Sequence, residues 1–239
     1  MQQIDLTLPT PEQNLAFDEA LLDLCEEGYP HEILRFWEFS HYFVVTGYSN
    51  KISREVNVPY CQAAGIPILR RSSGGGTVLQ GPGCLNYALI LDIRRNAALE
   101  NITRTNAFIM EKNASALSKA SGRTFEVKGH TDLAENAVKF SGNAQRRKRQ
   151  CLLFHGTFLI DFDMSLIEKT LAMPSLQPSY RNNRKHLDFV RNSGLARKAL
   201  KEALRETWGA QELFTDIPQE KIDRLVQDQY GNPAWVEKF

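Results

Sequence analysis

Between a short apolar stretch, Ile66-Pro67-Ile68-Leu69, and the run Val78-Leu79 lies Arg70-Arg71-Ser72-Ser73-Gly74-Gly75-Gly76-Thr77. The apolar stretch reads as a short buried strand. Three successive glycines cannot be placed there for packing, because glycine weakens a strand and brings no side chain. They supply positive φ angles and bare N–H groups that approach a ligand closely. The two arginines ahead of them carry forked, permanently charged donors suited to phosphate or carboxylate. Together these residues suggest a loop that holds an anionic ligand against backbone. Taken alone, the triplet reads equally well as a flexible hairpin loop with solvated arginines.

A second segment bears on that choice. Lys139-Phe140-Ser141-Gly142-Asn143-Ala144-Gln145 is followed by four basic residues, Arg146 to Arg149, and then by Leu153-Phe154-His155-Gly156-Thr157-Phe158-Leu159. In order and at compatible spacing, these segments resemble the lipoate–protein ligase family, within the wider biotin/lipoate ligase and octanoyltransferase superfamily. Pro11 to Leu22 is similar to the family's first helix, and Gly129-His130-Thr131-Asp132-Leu133 to its G-x-(N/S)-D-(L/I) turn. The resemblance covers about Asn14 to Trp235.

The 239 residues, 42% hydrophobic and 24% charged, suffice for one sizeable α/β unit, so a single catalytic domain over 1–239 is expected. A net charge of +1 provides no bulk field toward nucleic acid or a membrane. The run Arg146 to Arg149 reads either as a solvated turn or as a dock for an acidic acceptor. Four scattered cysteines, Cys25, Cys61, Cys84 and Cys151, form no C-x-x-C pair. This argues against a zinc site or disulfide framework and for a reducing cytoplasm. No signal peptide or membrane-spanning apolar run is visible.

Thr10-Pro11-Glu12-Gln13 has the form of a capping box opening a helix, and Ser165 to Glu168 of a second one. Longer helices are predicted over about 103–120 and 195–208, and a short one within 56–64. Strands are predicted at 33–37, 42–47, 66–69, 85–91, 125–128, 137–140 and 152–160. Strands and helices do not alternate strictly. The fold class expected is therefore α+β, a mixed, largely antiparallel sheet with flanking helices. The resemblance implies the same, a biotin/lipoate ligase catalytic domain.

The resemblance also implies a chemistry. Family ligases make an acyl-adenylate from ATP and a carboxylic acid, then pass the acyl group to a lysine. On that pattern Arg70, Arg71, Ser73, Gly74, Gly75, Gly76, Thr77, Val78, Leu79, Asp132, Lys139 and Arg184 would bind ATP and the acyl-adenylate. Gly75, Gly76, Lys139, Ser141, Gly142, His155 and Gly156 would bind lipoate. Lys139 would be catalytic, as a mobile point charge and not as a nucleophile. Asp132 is a candidate for Mg²⁺ or for ordering the nucleotide loop, although a carboxylate beside a glycine turn is commonly a turn residue. His155, inside an apolar strand, reads as a hydrogen-bonded core residue or as a site-lining one. Arg181, Arg184, His186 and Asn192 resemble the family segment that closes over the adenylate, in a stretch that also reads as an ordinary surface loop. The implied acceptors are lipoyl carriers, glycine-cleavage H protein or dehydrogenase E2 lipoyl domains. Many family ligases carry a C-terminal accessory domain, and the chain ends about where the large domain would stop, so a separate accessory subunit is an expectation too.

Two departures keep other readings open. Gln80-Gly81-Pro82-Gly83-Cys84-Leu85 is similar to the HGPGQL of octanoyltransferases, which use a cysteine thioester and no ATP. Their cysteine stands three residues before the histidine, where this chain has Leu152. Cys151 is one residue off, and a one-residue shift in a strand turns a side chain to the opposite face. The alternatives are thus an octanoyl or lipoyl transferase using Cys84 or Cys151, and a non-catalytic acyl or nucleotide binder that needs a partner.

Overall fold

The two most continuous apolar runs, Ile33–Trp37 and Cys84–Asp92, are buried along their whole length and lie side by side, antiparallel, in the sheet interior. The computed structural model describes residues 1–239. The strands in chain order are β1 (Gln2–Asp5), β2 (Ile33–Trp37), β3 (Phe43–Thr46), β4 (Ile68–Arg70), β5 (Val78–Gln80), β6 (Cys84–Asp92), β7 (Glu126–Lys128), β8 (Asp132–Glu135), β9 (Val138–Arg147), β10 (Cys151–Leu159) and β11 (Glu212–Leu213). An eight-stranded sheet runs β11-β1-β2-β6-β10-β9-β8-β7, and a three-stranded sheet runs β4-β3-β5. In the large sheet β1 pairs parallel with β11 and β2, and every other pairing is antiparallel.

The helices are α1 (Pro11–Glu26), α2 (Ile52–Glu55), α3 (Val58–Ala63), α4 (Ile102–Ser121), α5 (Ser165–Thr170), α6 (His186–Phe189), α7 (Arg197–Trp208), α8 (Gln219–Leu225) and α9 (Pro233–Val236). Side chains alternate across the central strands, as the pleat requires. Leu34, Phe36, Leu89, Leu152 and Phe154 join one core with α4 and α7. Ile33, Trp37, Ala88, Ile90 and Leu153 join a second core with α1 and α8. This is the expected α+β layer fold.

Thr10 caps α1 as expected: its hydroxyl accepts from the Gln13 N–H while Gln13 Oε1 accepts from the Thr10 N–H, both at 3.2 Å. The second expected capping box is not formed. Asp163 serves α5 instead, accepting from the backbone N–H of Ser165 at 3.0 Å and from its hydroxyl at 2.7 Å. Strand β9 runs seven residues beyond the expected Phe140, through half of the basic run. That run is not one patch. Arg147 donates to the carbonyls of Leu99 and Glu100, Lys148 pairs with Asp23, and only Arg146 and Arg149 are exposed.

The absence of any disulfide is also corrected. Cys25 on α1 and Cys151 on β10 are bonded, with their Cα atoms 6.2 Å apart. The pairing joins residues 126 apart, which no local spacing signals.

Arg35 fixes α1 to the sheet. It sits in the middle of β2, wholly buried, between the rings of Phe17 and Trp37. Its guanidinium donates to Asp18 Oδ1 at 2.5 Å, Asn14 Oδ1 at 2.7 Å and the Asn14 carbonyl at 2.8 Å. Burial opposes ionisation of Asp18, but Arg35 and then His155 outweigh it and hold the carboxyl below its ordinary value of 3.8. Removing one partner strands the other charge in the core. Asp18→Asn is therefore expected to cost about 3–5 kcal/mol at pH 7. A carboxylate with a depressed folded pKa stabilises above its unfolded pKa, and that stabilisation is lost as pH falls through the folded value. Urea melts of both proteins should show the gap at pH 7 and its closure as pH drops below 3.8.

Candidate active site

A cavity of about 440 Å³ opens between the α1 side of the large sheet, the glycine loop and the segment after α5. That is the size of a small-molecule site. Its lining includes Gly75, Gly76, Thr77, Val78, Leu79, Asp132, Lys139, Ser141, Gly142, His155 and Gly156, so most of the expected residues converge on one space.

The two arginines part company, and only Arg71 stays with the expected site. Arg70 is buried away from the cavity and donates to carbonyls of Gly47, Tyr48, Asn50, Trp235 and Val236. It fastens the C-terminal segment to β4. Arg71 does reach the cavity wall, yet its guanidinium is wrapped by the loop: it donates to the Gly74 carbonyl at 2.6 Å, the Gly76 carbonyl at 2.7 Å and Ser73 Oγ at 3.1 Å. Gly75 between them has φ +87°, a conformation that glycine adopts without a Cβ clash. The glycines thus let the loop curl around an arginine. Arg71 has no carboxylate partner, and burial lowers its pKa to about 10, so it stays cationic at neutral pH.

Ser73 and Gly74 are not on the cavity surface. Ser73 Oγ lies 2.6 Å from His155 Nε2, and His155 Nδ1 lies 3.5 Å from Asp18 Oδ2. The order resembles a hydrolytic triad, but the hydroxyl is sealed off and already accepts from Arg71. The chain of contacts instead pins the glycine loop to β10 and α1. His155 is both hydrogen-bonded and site-lining.

Lys139 stands where β9 bulges. Ala134 of β8 pairs with Lys139 and Leu133 pairs with Ser141, so Phe140 is the extra residue. Phe140 turns into the core while Lys139 faces the cavity. Such bulges re-aim side chains beside active sites. Lys139 Nζ lies 2.7 Å from Asp132 Oδ1, and the Tyr180 hydroxyl donates to Asp132 Oδ2 at 2.7 Å. Both oxygens of Asp132 are engaged, and no group of three His, Cys, Asp or Glu side chains forms a cation cage. Alone this donor set makes no cage for a resident Mg²⁺; one carboxylate together with substrate phosphates commonly holds that ion, and Asp132 is the carboxylate in place for it. A magnesium ion arriving on nucleotide phosphates would be part of the substrate.

In the closing segment Arg184 turns away from the cavity, donating to the carbonyls of Ala137 and Tyr180. Arg181 and His186 line the cavity instead, and Arg181 has no carboxylate partner. Asn192 caps Phe162 through both amide atoms, away from the site.

Neither cysteine of the thioester readings is available. Cys84 is fully buried, off the cavity, and burial pushes its thiol up to about 12. Cys151 faces α1, opposite to Leu152, and is bonded to Cys25.

Residues outside the expected ligand-binding set complete the wall. Trp37 and Gln80 line it, and neither the Trp37 indole nitrogen nor the Gln80 side-chain oxygen has a partner. Asn143 crosses the sheet, accepting from the Tyr87 hydroxyl at 2.7 Å and donating to the Thr131 carbonyl at 2.8 Å. Its amide lies where a side chain on Gly156 would begin, which explains the glycine in His155-Gly156-Thr157. Gly156→Ala is expected to cost about 1–3 kcal/mol by overpacking. Thermal melts should show the loss, and Asn143→Gly should not restore it, because the Gly142 carbonyl would still lie 2.9 Å from the new Cβ and the bonds to Tyr87 and Thr131 would be gone.

Residues 10–206 match the family described as lipoyl protein ligase A/B catalytic domain, and the chain belongs to that family. A lipoate-protein ligase A of Aeropyrum pernix is 30% identical over 243 residues, covering 95% of this chain and 88% of that protein. The octanoyltransferase LipM of Brevibacillus brevis is 23% identical over 261 residues, covering 95% and 94%. A Thermoplasma acidophilum structure, described as a bi-partite lipoate protein ligase with its E2 lipoyl domain, superposes with a TM-score of 0.81 at 22% identity, over 100% of this chain and 98% of that one. No helix is long and apolar enough to cross a membrane.

Proposed function

We propose that this chain is an ATP-dependent lipoate–protein ligase, acting as one catalytic unit over 1–239. The observation that carries the reading is the cavity's lining: unpaired arginine charge and a lysine, with no thiol. A thioester transferase needs a thiolate that can meet its substrate. A polyphosphate needs fixed positive charge in a site shielded from water. Arg71 and Arg181 offer the second requirement and nothing offers the first.

The lipoate carboxylate attacks the α-phosphorus of ATP, forming the mixed anhydride and releasing pyrophosphate. The acceptor's lysine amine then attacks the acyl carbonyl, the amide forms, AMP leaves and the amine gives up a proton. Lys139 holds the developing negative charge in both steps, moving between carboxylate, phosphate and the acyl oxygen. The glycine loop carries the ligand along Gly75 to Leu79. The acceptor is a lipoyl carrier: an E2 lipoyl domain by analogy with the archaeal relative, or the H protein that the sequence resemblance implies. That relative's two-part organisation is also the reason to expect an accessory subunit. The octanoyltransferases among the relatives support the second reading, acyl transfer without ATP.

One variant tests the site and another divides these readings. Lys139→Ala should fold, since Asp132 keeps Tyr180 as a partner, and should lose acylation by ~10²–10³-fold. Intact-mass assay of the acceptor measures this, and near-normal product would remove Lys139 from the site. Cys84→Ser combined with Cys151→Ser should retain lipoate transfer with ATP at 25 °C, with lower thermal stability from the lost cross-link. Loss of product in a folded double variant, with an acyl thioester trapped on the wild type, would establish the transferase.

A further inference from the structure

The segment from Leu171 to Lys185 forms an arch over the cavity. It contains no strand or α-helix, only the single 3₁₀ turn Ser179–Arg181. It nevertheless supplies Ala172, Pro174, Gln177, Pro178 and Arg181 to the cavity wall. Its Ala172 backbone bonds to His186 Nε2 and to the Glu55 carbonyl, both at 3.0 Å, and three side-chain contacts fasten it to α2 and to the β8–β9 hairpin. Ser175 bonds to Glu55, Arg184 donates to the Ala137 carbonyl at 3.0 Å, and Tyr180 donates to Asp132 Oδ2 at 2.7 Å.

The third contact differs from the others, because Asp132 is also the partner of Lys139. One carboxylate thus joins the arch to the lysine, an oxygen for each. The Tyr180 ring is seated independently of its hydroxyl. Its centroid lies 5.1 Å from that of Phe189, and its edge meets the open face of Gly129. Burial and the neighbouring carboxylate raise the phenol's pKa, so it remains a donor across the neutral range.

We propose that Tyr180 is a positioning residue that latches the 171–185 arch to Asp132, so that closing the arch and seating Lys139 are a single event. The proposal rests on the ligase reading for its consequence. A reactive mixed anhydride survives only while water is excluded, and lids serve that purpose. With the arch latched, Asp132 shares its charge between phenol and ammonium. Lys139 is then held in place, yet it can be drawn toward a phosphate that competes for it. With the arch open, the lysine loses its orientation and the intermediate meets solvent.

Tyr180→Phe removes the hydroxyl and keeps the ring. In the full-length protein, hydrogen exchange of amides in 173–185 should become about tenfold faster, the scale of a lost hydrogen bond to a charged group. Asp132→Asn, which weakens the same bond from the other side, should quicken the same amides. In assays with lipoate, ATP and a lipoyl acceptor, pyrophosphate released per acylated acceptor should rise from near one to several in Tyr180→Phe. A merely structural role would lower both products together. Unchanged exchange in the arch, or an unchanged ratio, overturns the latch. If the wild type releases no pyrophosphate, the ligase reading fails, and the exchange comparison still decides whether Tyr180 holds the arch.

Discussion

The site depends on a buried cation without a counter-ion. Arg71 lies inside the protein with only carbonyls and one hydroxyl around it. A buried charge is costly unless polar groups replace its water. The loop 73–76 supplies those groups by curling its carbonyls inward, which turns its chain toward the cavity. The charge itself is not cancelled. It remains in the cavity wall with Arg181 and Lys139, where an anionic ligand can answer it.

Around this centre the fold acts as a frame with few free parts. Arg35 and Asp18 lock α1 to β2, and Asp18 meets His155, which meets Ser73 at the root of the loop. On the far wall Asn143 ties β9 to the turn before Asp132, and the bulge at Phe140 aims Lys139. Rigid elements thus hold the loop and the lysine from opposite sides. The arch between α5 and α6 is the segment with least regular structure, and it closes the space between them. This division, a fixed constellation under a looser cover, suits a reaction with an intermediate that water destroys.

The sequence made the centre of the site legible because its residues are chemically unusual where they stand. A glycine triplet in an apolar context and a lysine in a strand need a reason, and both line the cavity. Long elements with strong periodicity, such as α4 and β6, were legible for the same reason. What was hidden depends on tertiary partners. Nothing local distinguishes Arg70, which serves carbonyls of the C-terminal segment, from Arg71, which serves the loop. Arg184 and Arg181 are likewise interchangeable in sequence and face opposite ways. The Cys25–Cys151 bond spans the chain, and Arg35 is hidden in an apolar strand until Asp18 is seen beside it. The short strands β1, β5, β8 and β11 and the helices α2, α6, α8 and α9 carry no clear local signal, since pairing and packing define them more than their own residues do.

The proposed ligase chemistry requires a nucleotide, and no enzyme thiol, for acyl activation. The most direct measurement is intact mass of a lipoyl acceptor domain after incubation with the wild-type chain. One arm contains lipoate and ATP, and the other contains an octanoyl carrier protein without ATP. A nucleotide-dependent ligase leaves a lipoyl adduct in the first arm and an unmodified acceptor in the second. An octanoyl adduct in the second arm, with none in the first, would contradict the ligase reading.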